Sequence, residues 1–419
     1  MRVLHISYDV SKQSAAYRIH CAMRKMGIES YIYVARECLD EKYIIAPKPN
    51  GYAQKVKHKL KSHLFGLIDR ILKKIFIQSD GMLFSMNMFS TFDRRIVESI
   101  NPDIINLHWI CNNFISYKDL AYLCKRYHVV WTCHDSWPFT GGCHIPLDCL
   151  DYKVGCNTCR YNKNQFRSIS SFIIKKKINS LDKKKITVVS PSRWLASCAE
   201  SSRIFNNQRV CVIPNAIDIS SYKPVAKEVA RDILNVPDNK KVILFGAMNA
   251  TGDPNKGFCY LKEAINILSS QQRNIDDVLL LVFGSSTPDN DIDWGYQIRY
   301  LGRLYDNMSL MTVYNAADVM IVPSKSENLP NTIMEAMACG TPCVGFRIGG
   351  IPDEIEHMVT GYLAEPFDTS DLAKGIETVL ENHEKMGMAA RDKAAREYNM
   401  QKVGRQYLDL YEEILSDGK

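Results

Sequence analysis

The chain has 419 residues, of which 46% are hydrophobic and 24% are charged. This length is more than one ordinary core supports and fits two domains of roughly 200 residues each, and the balanced composition argues against long disordered stretches. The net charge of +7 is mildly basic, and no run is long and apolar enough to predict a membrane-spanning helix. The amino-terminal residues are typical of a buried strand and lack the pattern of a signal peptide. We therefore expect a cytoplasmic protein whose fourteen cysteines are reduced thiols.

Short apolar runs alternate with helical patterns along the chain. The predicted strands are Val3–Tyr8, Ser30–Val34, Asp103–Trp109, Val129–Cys133, Ile186–Pro191, Lys241–Ala247, Val278–Phe283, Ile298–Leu301, Asp318–Val322 and Pro342–Phe346. Helical patterns lie between them, for example over Lys12–Met26 and Leu372–Asn382. This alternation predicts the α/β class with two Rossmann-like, doubly wound domains, which bind ligands outside the carboxyl ends of their strands. We expect a ligand in a cleft between the two domains.

The domain boundary is predicted near residues 212–218, where a strand ends at a Pro-Asn turn and a polar connection follows. We expect a first domain over residues 1–213 and a second over residues 219–395. A final helix near residues 400–419 is expected to pack back on the first domain.

Residues 54–77 combine seven basic residues with apolar residues at three- and four-residue steps. This pattern predicts an amphipathic basic helix. Such helices lie on anionic membrane surfaces, where each basic residue contributes about 1 kcal/mol. The alternative is an ordinary helix whose apolar face packs on the first domain. We favour peripheral attachment to the inner face of the membrane.

Polar and aromatic side chains follow the carboxyl ends of several predicted strands. His134 is placed where it can reach a bound ligand, and its alternative role is a core histidine bonded to Asp135. Trp109 either stacks on a ligand or is a half-buried aromatic residue. Arg193 is either a phosphate contact or a surface arginine.

Four of the cysteines are close together in the sequence. They are Cys143, Cys149, Cys156 and Cys159, in a loop that contains glycine and proline and ends in Cys-x-x-Cys. Four soft ligands of this kind favour a structural, tetrahedral Zn²⁺. The wide spacing of the first pair leaves an iron–sulfur cluster and free or redox-active thiols as alternatives.

The stretch 324–342 carries the most informative pattern. It follows a predicted strand and is typical of a loop, a helix that begins near Pro330, and a glycine stop at Gly340. Glu327 then lies on the loop and Glu335 lies inside the helix. The first amides of a helix form a site for phosphate, and carboxylates accept hydrogen bonds from sugar hydroxyls. The pattern therefore favours a sugar diphosphate as the ligand.

This spacing of two glutamates, followed by a helix end and a Gly-x-Pro strand start, resembles the signature of retaining family-4 glycosyltransferases of the GT-B fold. The resemblance extends over the second half of the chain. It includes Phe245-Gly246 with Lys256-Gly257, the run Tyr300–Leu304, the run Gly349–Glu354 and Gly361–Leu363. Bacterial enzymes of polysaccharide assembly, similar to colanic-acid and capsule glycosyltransferases, are the implied type, and a subgroup of them carries such a cysteine cluster.

The resemblance implies the role of each residue in the site. Lys256 would neutralise the donor diphosphate beside Gly246, and Glu335 would bind the ribose of the nucleotide. Glu327 and His134 would face the donor sugar. The remaining implied contacts are the terminal phosphate at the amides of Asn328 and Leu329 and the nucleobase at Leu304. One departure from the family is that Gly246 is followed by alanine where an arginine is usual.

The sequence therefore predicts transfer of a hexosyl unit, with retention, from a nucleotide-diphosphate sugar to a saccharide acceptor that is lipid-linked, in surface polysaccharide synthesis. No cofactor is expected to be required, because lysine and helix dipoles can stabilise the leaving diphosphate. The alternatives are an epimerase or phosphorylase of the same fold and, more remotely, a zinc-containing nucleic-acid-binding protein. The basic residues concentrate in one helix with few aromatic residues among them, so no nucleic-acid partner is expected.

Overall fold

The computed structural model describes residues 1–47, 52–78, 83–163, 168–181, 186–247, 249–271, 277–285 and 295–417. The chain forms two compact units. The first consists of Met1–Pro214 together with Val403–Lys419, and the second consists of Asn215–Lys402. Within the described ranges, no helix is both long enough and apolar enough to cross a membrane.

The first unit is built on a sheet of seven parallel strands in the order β3-β2-β1-β4-β5-β6-β7. The strands are β1 (Arg2–Ser7), β2 (Glu29–Val34), β3 (Ile44–Ile45), β4 (Ile104–Leu107), β5 (His128–Thr132), β6 (Thr187–Ser190) and β7 (Arg209–Val212). The helices are α1 (Ala15–Lys25), α2 (Tyr52–Phe76), α3 (Arg94–Ile100), α4 (Tyr117–Arg126), α5 (Ser168–Leu181) and α6 (Arg193–Glu200). The central strands are apolar and buried, as expected for parallel strands with both faces covered.

The second unit is built on a sheet of six parallel strands in the order β10-β9-β8-β11-β12-β13. The strands are β8 (Lys241–Gly246), β9 (Val278–Phe283), β10 (Gln297–Tyr300), β11 (Val319–Val322), β12 (Cys343–Phe346) and β13 (Gly361–Ala364). The helices are α7 (Lys227–Leu234), α8 (Phe258–Gln271), α9 (Asn307–Ala316), α10 (Asn331–Ala338), α11 (Ile351–Glu354) and α12 (Thr369–Glu397). Alternate residues of β8 enter two separate apolar cores, so both faces of this sheet are covered.

The last helix, α13 (Met400–Asp417), contributes two buried tyrosines to the first unit. The Oη of Tyr411 accepts a hydrogen bond of 2.8 Å from the side-chain amide of Asn106 on β4. The Oη of Tyr407 lies 3.3 Å from the hydroxyl of Thr132 on β5. The two Rossmann-like α/β domains, each built on a parallel sheet, confirm the fold class that the sequence predicts.

Candidate active site

Lys256 and Glu327 form an ion pair in the second unit. The Nζ of Lys256 lies 2.6 Å from Oε1 of Glu327, and both side chains are largely buried. Burial lowers the pKa of Lys256, but the Glu327 carboxylate outweighs this effect, so the pKa is raised above its usual value and the ammonium stays charged. The loop after β8 and the loop after β11 therefore bring a cation and a carboxylate together at the carboxyl edge of the sheet.

Two glycines allow neighbouring loops to approach the loop after β11 closely. Gly257 follows Lys256 with φ of +71°, and a Cβ on it would lie 1.8 Å from the carbonyl oxygen of Pro323. Gly349 has φ of +53°, and a Cβ there would lie 2.1 Å from the carbonyl oxygen of Glu327. Both positions require a left-handed backbone and contact with a neighbouring main chain, which only glycine tolerates without strain. The position of Glu327 therefore depends on the Gly-Gly loop after β12.

Glu335 lies inside α10, and it is only 4% exposed. Its Oε2 accepts a hydrogen bond of 3.0 Å from the hydroxyl of Tyr314 on α9. Pro330 is the N-cap of α10 rather than a residue of its first turn, so the helix begins one position later than predicted, and Gly340 lies just after the helix with φ of +83°. The two glutamates thus differ in setting, since one is paired with a lysine on a loop and the other is held in a helix by a tyrosine.

The other predicted donor residues lie near this edge of the second sheet. Gly246 is the last residue of β8, and Leu304 is half-buried against one of the two cores. Asn328 is partly buried in the loop, and Leu329 is buried ahead of α10. The side-chain amide of Asn215 donates to the Leu329 carbonyl at 3.3 Å, which holds the loop in place.

Three histidines of the first unit form a stacked chain across neighbouring strands. The Nδ1 of His5 on β1 lies 3.0 Å from Nε2 of His108, and the Nδ1 of His108 lies 2.9 Å from Nε2 of His134. The ring centroids are 5.2 Å and 5.1 Å apart. Burial lowers the pKa of His134 to about 4 and the pKa of the other two well below the usual value, so all three rings are neutral near pH 7.

Hydrogen bonds along the three histidines are donated in one favoured direction. A neutral imidazole has one N–H and one lone pair, so the three rings must all donate the same way. The buried Nε2 of His5 has no hydrogen-bond partner among the described residues. A buried lone pair without a partner is tolerated better than a buried N–H without one, so His5 donates to His108 and His108 donates to His134. The remaining nitrogen of His134 then carries a proton, which suits hydrogen-bond donation rather than proton abstraction.

Asp135 is bonded to two other side chains of the first unit, Trp109 and His144. Its carboxylate accepts hydrogen bonds from the indole N–H of Trp109 at 3.1 Å and contacts Nδ1 of His144 at 2.6 Å. Burial raises the pKa of Asp135, but His144 and the Trp137 amide outweigh it, so the pKa is lowered. This bond holds Trp109, which is partly buried, after the carboxyl end of β4. Its two predicted roles, stacking on a ligand or a half-buried aromatic residue, both stay predictions. Arg193 is exposed on the first turn of α6, in the same unit.

The four predicted zinc ligands come together in the structure. Cys143, Cys149, Cys156 and Cys159 all line one small cavity. Nevertheless, in the part of the chain that the structure describes, no group of three or more His, Cys, Asp or Glu side chains is arranged to hold a metal ion. Burial raises the pKa of both Cys143 and Cys156 to about 12, so these two thiols are neutral. The structure therefore does not support the zinc prediction.

Two residues that hold the donor side of the second unit in place were not predicted from the sequence. Tyr314 lies 21 residues before Glu335, and nothing in the local pattern marks it as a partner of that carboxylate. Asn255 donates from its side chain to the Ser326 carbonyl at 2.9 Å, and its backbone carbonyl accepts from the Lys325 amide at 2.8 Å. The polar run before Lys256 was a signal that this loop is held by side-chain bonds.

Comparison with known proteins identifies the class. A family model described as Glycosyltransferase Family 4 matches residues 15–221, and one described as Glycosyl transferases group 1 matches residues 239–382. Sucrose-phosphate synthase from Thermosynechococcus elongatus has a TM-score of 0.66 at 15% identity and covers 100% of both chains. Anabaena HepE in complex with UDP has a TM-score of 0.64 at 16% identity, over 99% of this chain and 100% of that chain. At such identities these likenesses concern the fold alone.

These findings show the two-domain GT-B fold and support a glycosyltransferase. More particularly, the first domain is similar to the Glycosyltransferase Family 4 model and the second to the Glycosyl transferases group 1 model. N-acetyl-alpha-D-glucosaminyl L-malate synthase of Bacillus anthracis is 36% identical over 126 residues, 29% of this chain and 32% of its own. D-inositol 3-phosphate glycosyltransferase of Mycobacterium sp. (strain KMS) is 29% identical over 201 residues, 45% of this chain and 43% of its own. The chain thus spans less than half the length of these two curated relatives.

Proposed function

We propose that the protein transfers a hexosyl unit from a nucleotide-diphosphate sugar to a saccharide acceptor, with retention of configuration. The observation that carries this proposal is the ion pair between Lys256 and Glu327 at the carboxyl edge of the second sheet. The Glu327 carboxylate keeps the Lys256 ammonium charged and in place while no donor is bound. When a diphosphate binds, it pairs with this ammonium, and the carboxylate becomes available to accept hydrogen bonds from sugar hydroxyls.

The rest of the donor site fits the same ligand. Glu335 offers a buried carboxylate for two ribose hydroxyls, and α10 begins next to Asn328 and Leu329, where phosphate is favoured. HepE has been solved with UDP-glucose, and the structural neighbour WaaG is described as a glycosyltransferase involved in lipopolysaccharide biosynthesis. These descriptions favour a uridine nucleotide donor and a role in surface polysaccharide synthesis.

The test is donor binding by calorimetry with UDP-, GDP- and dTDP-sugars. Lys256→Met should weaken binding of the preferred donor by about 10- to 150-fold, because a charge-assisted hydrogen bond contributes about 1.5–3 kcal/mol. Lys241→Met is the matched control, since Lys241 is exposed at the opposite end of β8. Absence of binding by every nucleotide sugar, or equal affinity of the two variants, would refute the proposal.

A second part of the proposal is that the protein attaches to a membrane surface through α2 and takes a lipid-linked acceptor there. Six apolar side chains of α2 form one stripe and are between 39% and 64% exposed: Val56, Leu60, Leu64, Leu67, Ile71 and Ile75. The helix packs on its own domain through a different set of residues, including Phe65, which stacks on Phe89 at 4.9 Å, and Leu72. An apolar stripe flanked by lysines suits an anionic lipid surface.

Co-sedimentation with vesicles tests the attachment. Leu64→Gln combined with Ile71→Gln should abolish binding to vesicles that contain phosphatidylglycerol. Ile233→Gln, which removes a similarly exposed apolar side chain from α7, should leave it unchanged. If the double variant binds as well as the unchanged protein, α2 is not the membrane-binding surface.

A further inference from the structure

A cavity of about 600 Å³ lies in the first unit at the carboxyl end of its sheet. Tyr8 follows β1, Ala35 follows β2, and Asn112 lies in the loop after β4, and all three line it. The opposite wall is a face of α2 that runs from Lys59 to Arg70. This space, called the α2 cavity below, has the size of a small-molecule site and the location at which α/β domains bind ligands.

The α2 cavity carries an excess of positive charge. Arg36, Lys59 and Arg70 line it, and Asp69 is the carboxylate among the lining residues. Asp69 is already paired with Lys73 at 2.8 Å. Within the described ranges, neither Lys59 nor Arg70 forms an ion pair. Arg36 is paired with Asp9 at 3.3 Å, so Lys59 and Arg70 are the lining cations that have no carboxylate partner among the described residues.

The charges are spread along the cavity. Lys59 and Arg70 are eleven positions apart on one helix, which places them about 16 Å apart along its axis. Between them the lining is polar, with the hydroxyl of Ser62 and the imidazole of His63, and aromatic rings of Tyr8 and Phe65 border it. Hydroxyl-binding groups, aromatic rings and separated cations together suit an elongated saccharide that carries phosphate.

Gly66 keeps the middle of this space open. It lies in the interior of α2, where glycine is less stable than alanine. A Cβ on Gly66 would meet no atom within 4 Å, so close packing does not require glycine here. The missing side chain instead leaves room on the cavity wall.

We propose that the α2 cavity binds the phosphate-bearing end of the acceptor, with Arg70 and Lys59 as its cationic contacts. This proposal rests on the proposed function and names the acceptor class. Leu67 belongs both to the cavity lining and to the exposed apolar stripe, so the cavity opens beside the face that would lie on lipid. A phosphate on a lipid carrier and a soluble sugar phosphate share this chemistry, and the experiment separates them.

The test uses the full chain and two probes, glucose 1-phosphate in solution and a hexose-diphosphate polyprenyl lipid in phosphatidylcholine vesicles. Gly66→Gln fills the cavity without removing a charge, and Gly66→Ala is its matched control. Arg70→Gln removes a charge from the lining, and Lys74→Gln removes one from α2 outside the cavity. Nucleotide-sugar binding is measured in every variant to separate failure of the donor site from failure of this one.

We expect Gly66→Gln and Arg70→Gln to weaken probe binding about tenfold or more, while both controls and all donor affinities stay unchanged. A preference for vesicles with the polyprenyl lipid over plain vesicles assigns a lipid carrier, and binding of glucose 1-phosphate alone assigns a soluble acceptor. If neither probe binds the unchanged protein, or if Gly66→Gln binds like Gly66→Ala, the proposal is wrong even where donor binding is normal.

Discussion

Replacing Glu354 with glutamine tests whether a buried, unpaired carboxyl group destabilises the second domain. Glu354 ends α11 and is 0% exposed, and neither of its carboxyl oxygens has a hydrogen-bond partner among the described residues. Burial raises the pKa of Glu354 well above its ordinary value, the charge of Glu327 raises it further, and Lys393 opposes both. The folded protein therefore holds this group as a neutral acid near pH 7.

The effect on stability has a defined sign. Below pH 4.5, the ordinary value for the unfolded chain, both states keep the proton. As the pH rises above 4.5 the unfolded chain releases the proton and the folded chain retains it. The free energy of unfolding then falls by about 1.4 kcal/mol per pH unit, or about 2.7 kcal/mol from pH 5 to pH 7. Glu354→Gln cannot release a proton in either state, so the variant should lose this part of the pH dependence.

The assay is urea unfolding of the unchanged protein and the variant at pH 5, 6 and 7. The advantage of Glu354→Gln should grow over this range by an amount of that order. Glu381→Gln is the control, because Glu381 is exposed. Its substitution should change the free energy of unfolding by the same amount at all three pH values. If Glu354→Gln and the unchanged protein show the same pH slope, then Glu354 is ionised in the folded state and the reasoning fails.

Three other perturbations test the remaining parts of the site. Tyr314→Phe removes a hydrogen bond to the buried Glu335 carboxylate and should lower the free energy of unfolding by about 1–3 kcal/mol in urea titrations. Gly349→Ala should displace Glu327 and reduce kcat/KM on the order of 100-fold, because small misplacements are costly in an active site. The three histidines have pKa values below 6.5 in the folded protein. Their contribution to the free energy of unfolding should therefore be complete above pH 6.5 and fall as the pH drops, because only the unfolded chain binds the protons. His108→Gln should lessen that fall by up to about 1.4 kcal/mol per pH unit.

Each of these predictions has a result that contradicts it. Tyr305→Phe alters an exposed tyrosine and should cost little, so equal losses would remove the case for the buried hydrogen bond. Gly27→Ala has a similar left-handed backbone with open space around it, so it separates backbone strain from displacement of Glu327. An NMR measurement that finds the His134 proton on Nε2 would reverse the direction of the histidine chain.

The alternation of strands and helices could be predicted because parallel strands covered on both faces are short apolar runs. The predicted strand over Val278–Phe283 matches β9, and the helix after Pro330 matches α10 to within a residue. The two-residue strand β3 gave no such pattern, since two residues are too few to form a run. The loop position of Glu327 and the helical position of Glu335 also followed from proline and glycine at the helix ends.

Contacts between distant parts of the chain could not be predicted in this way. His5, His108 and His134 meet because β1, β4 and β5 are neighbours in the sheet, and strand order is not encoded in local periodicity. Glu354 lies in a stretch that is polar in sequence, yet the packing of α11 buries it completely. The cysteine spacing indicated zinc ligands, but coordination depends on side-chain directions that spacing does not contain.

The sequence by itself determined the α/β class and the two Rossmann-like domains, and it predicted the residues that would meet a sugar diphosphate, because these depend on local patterns and short motifs. The tertiary structure decided which charges are paired, which carboxylates are buried, and where a cavity remains open. Lys256 became the partner of Glu327, while Lys59 and Arg70 have no carboxylate partner in the described chain. These outcomes depend on the distances and burial that arise only when separate segments pack together.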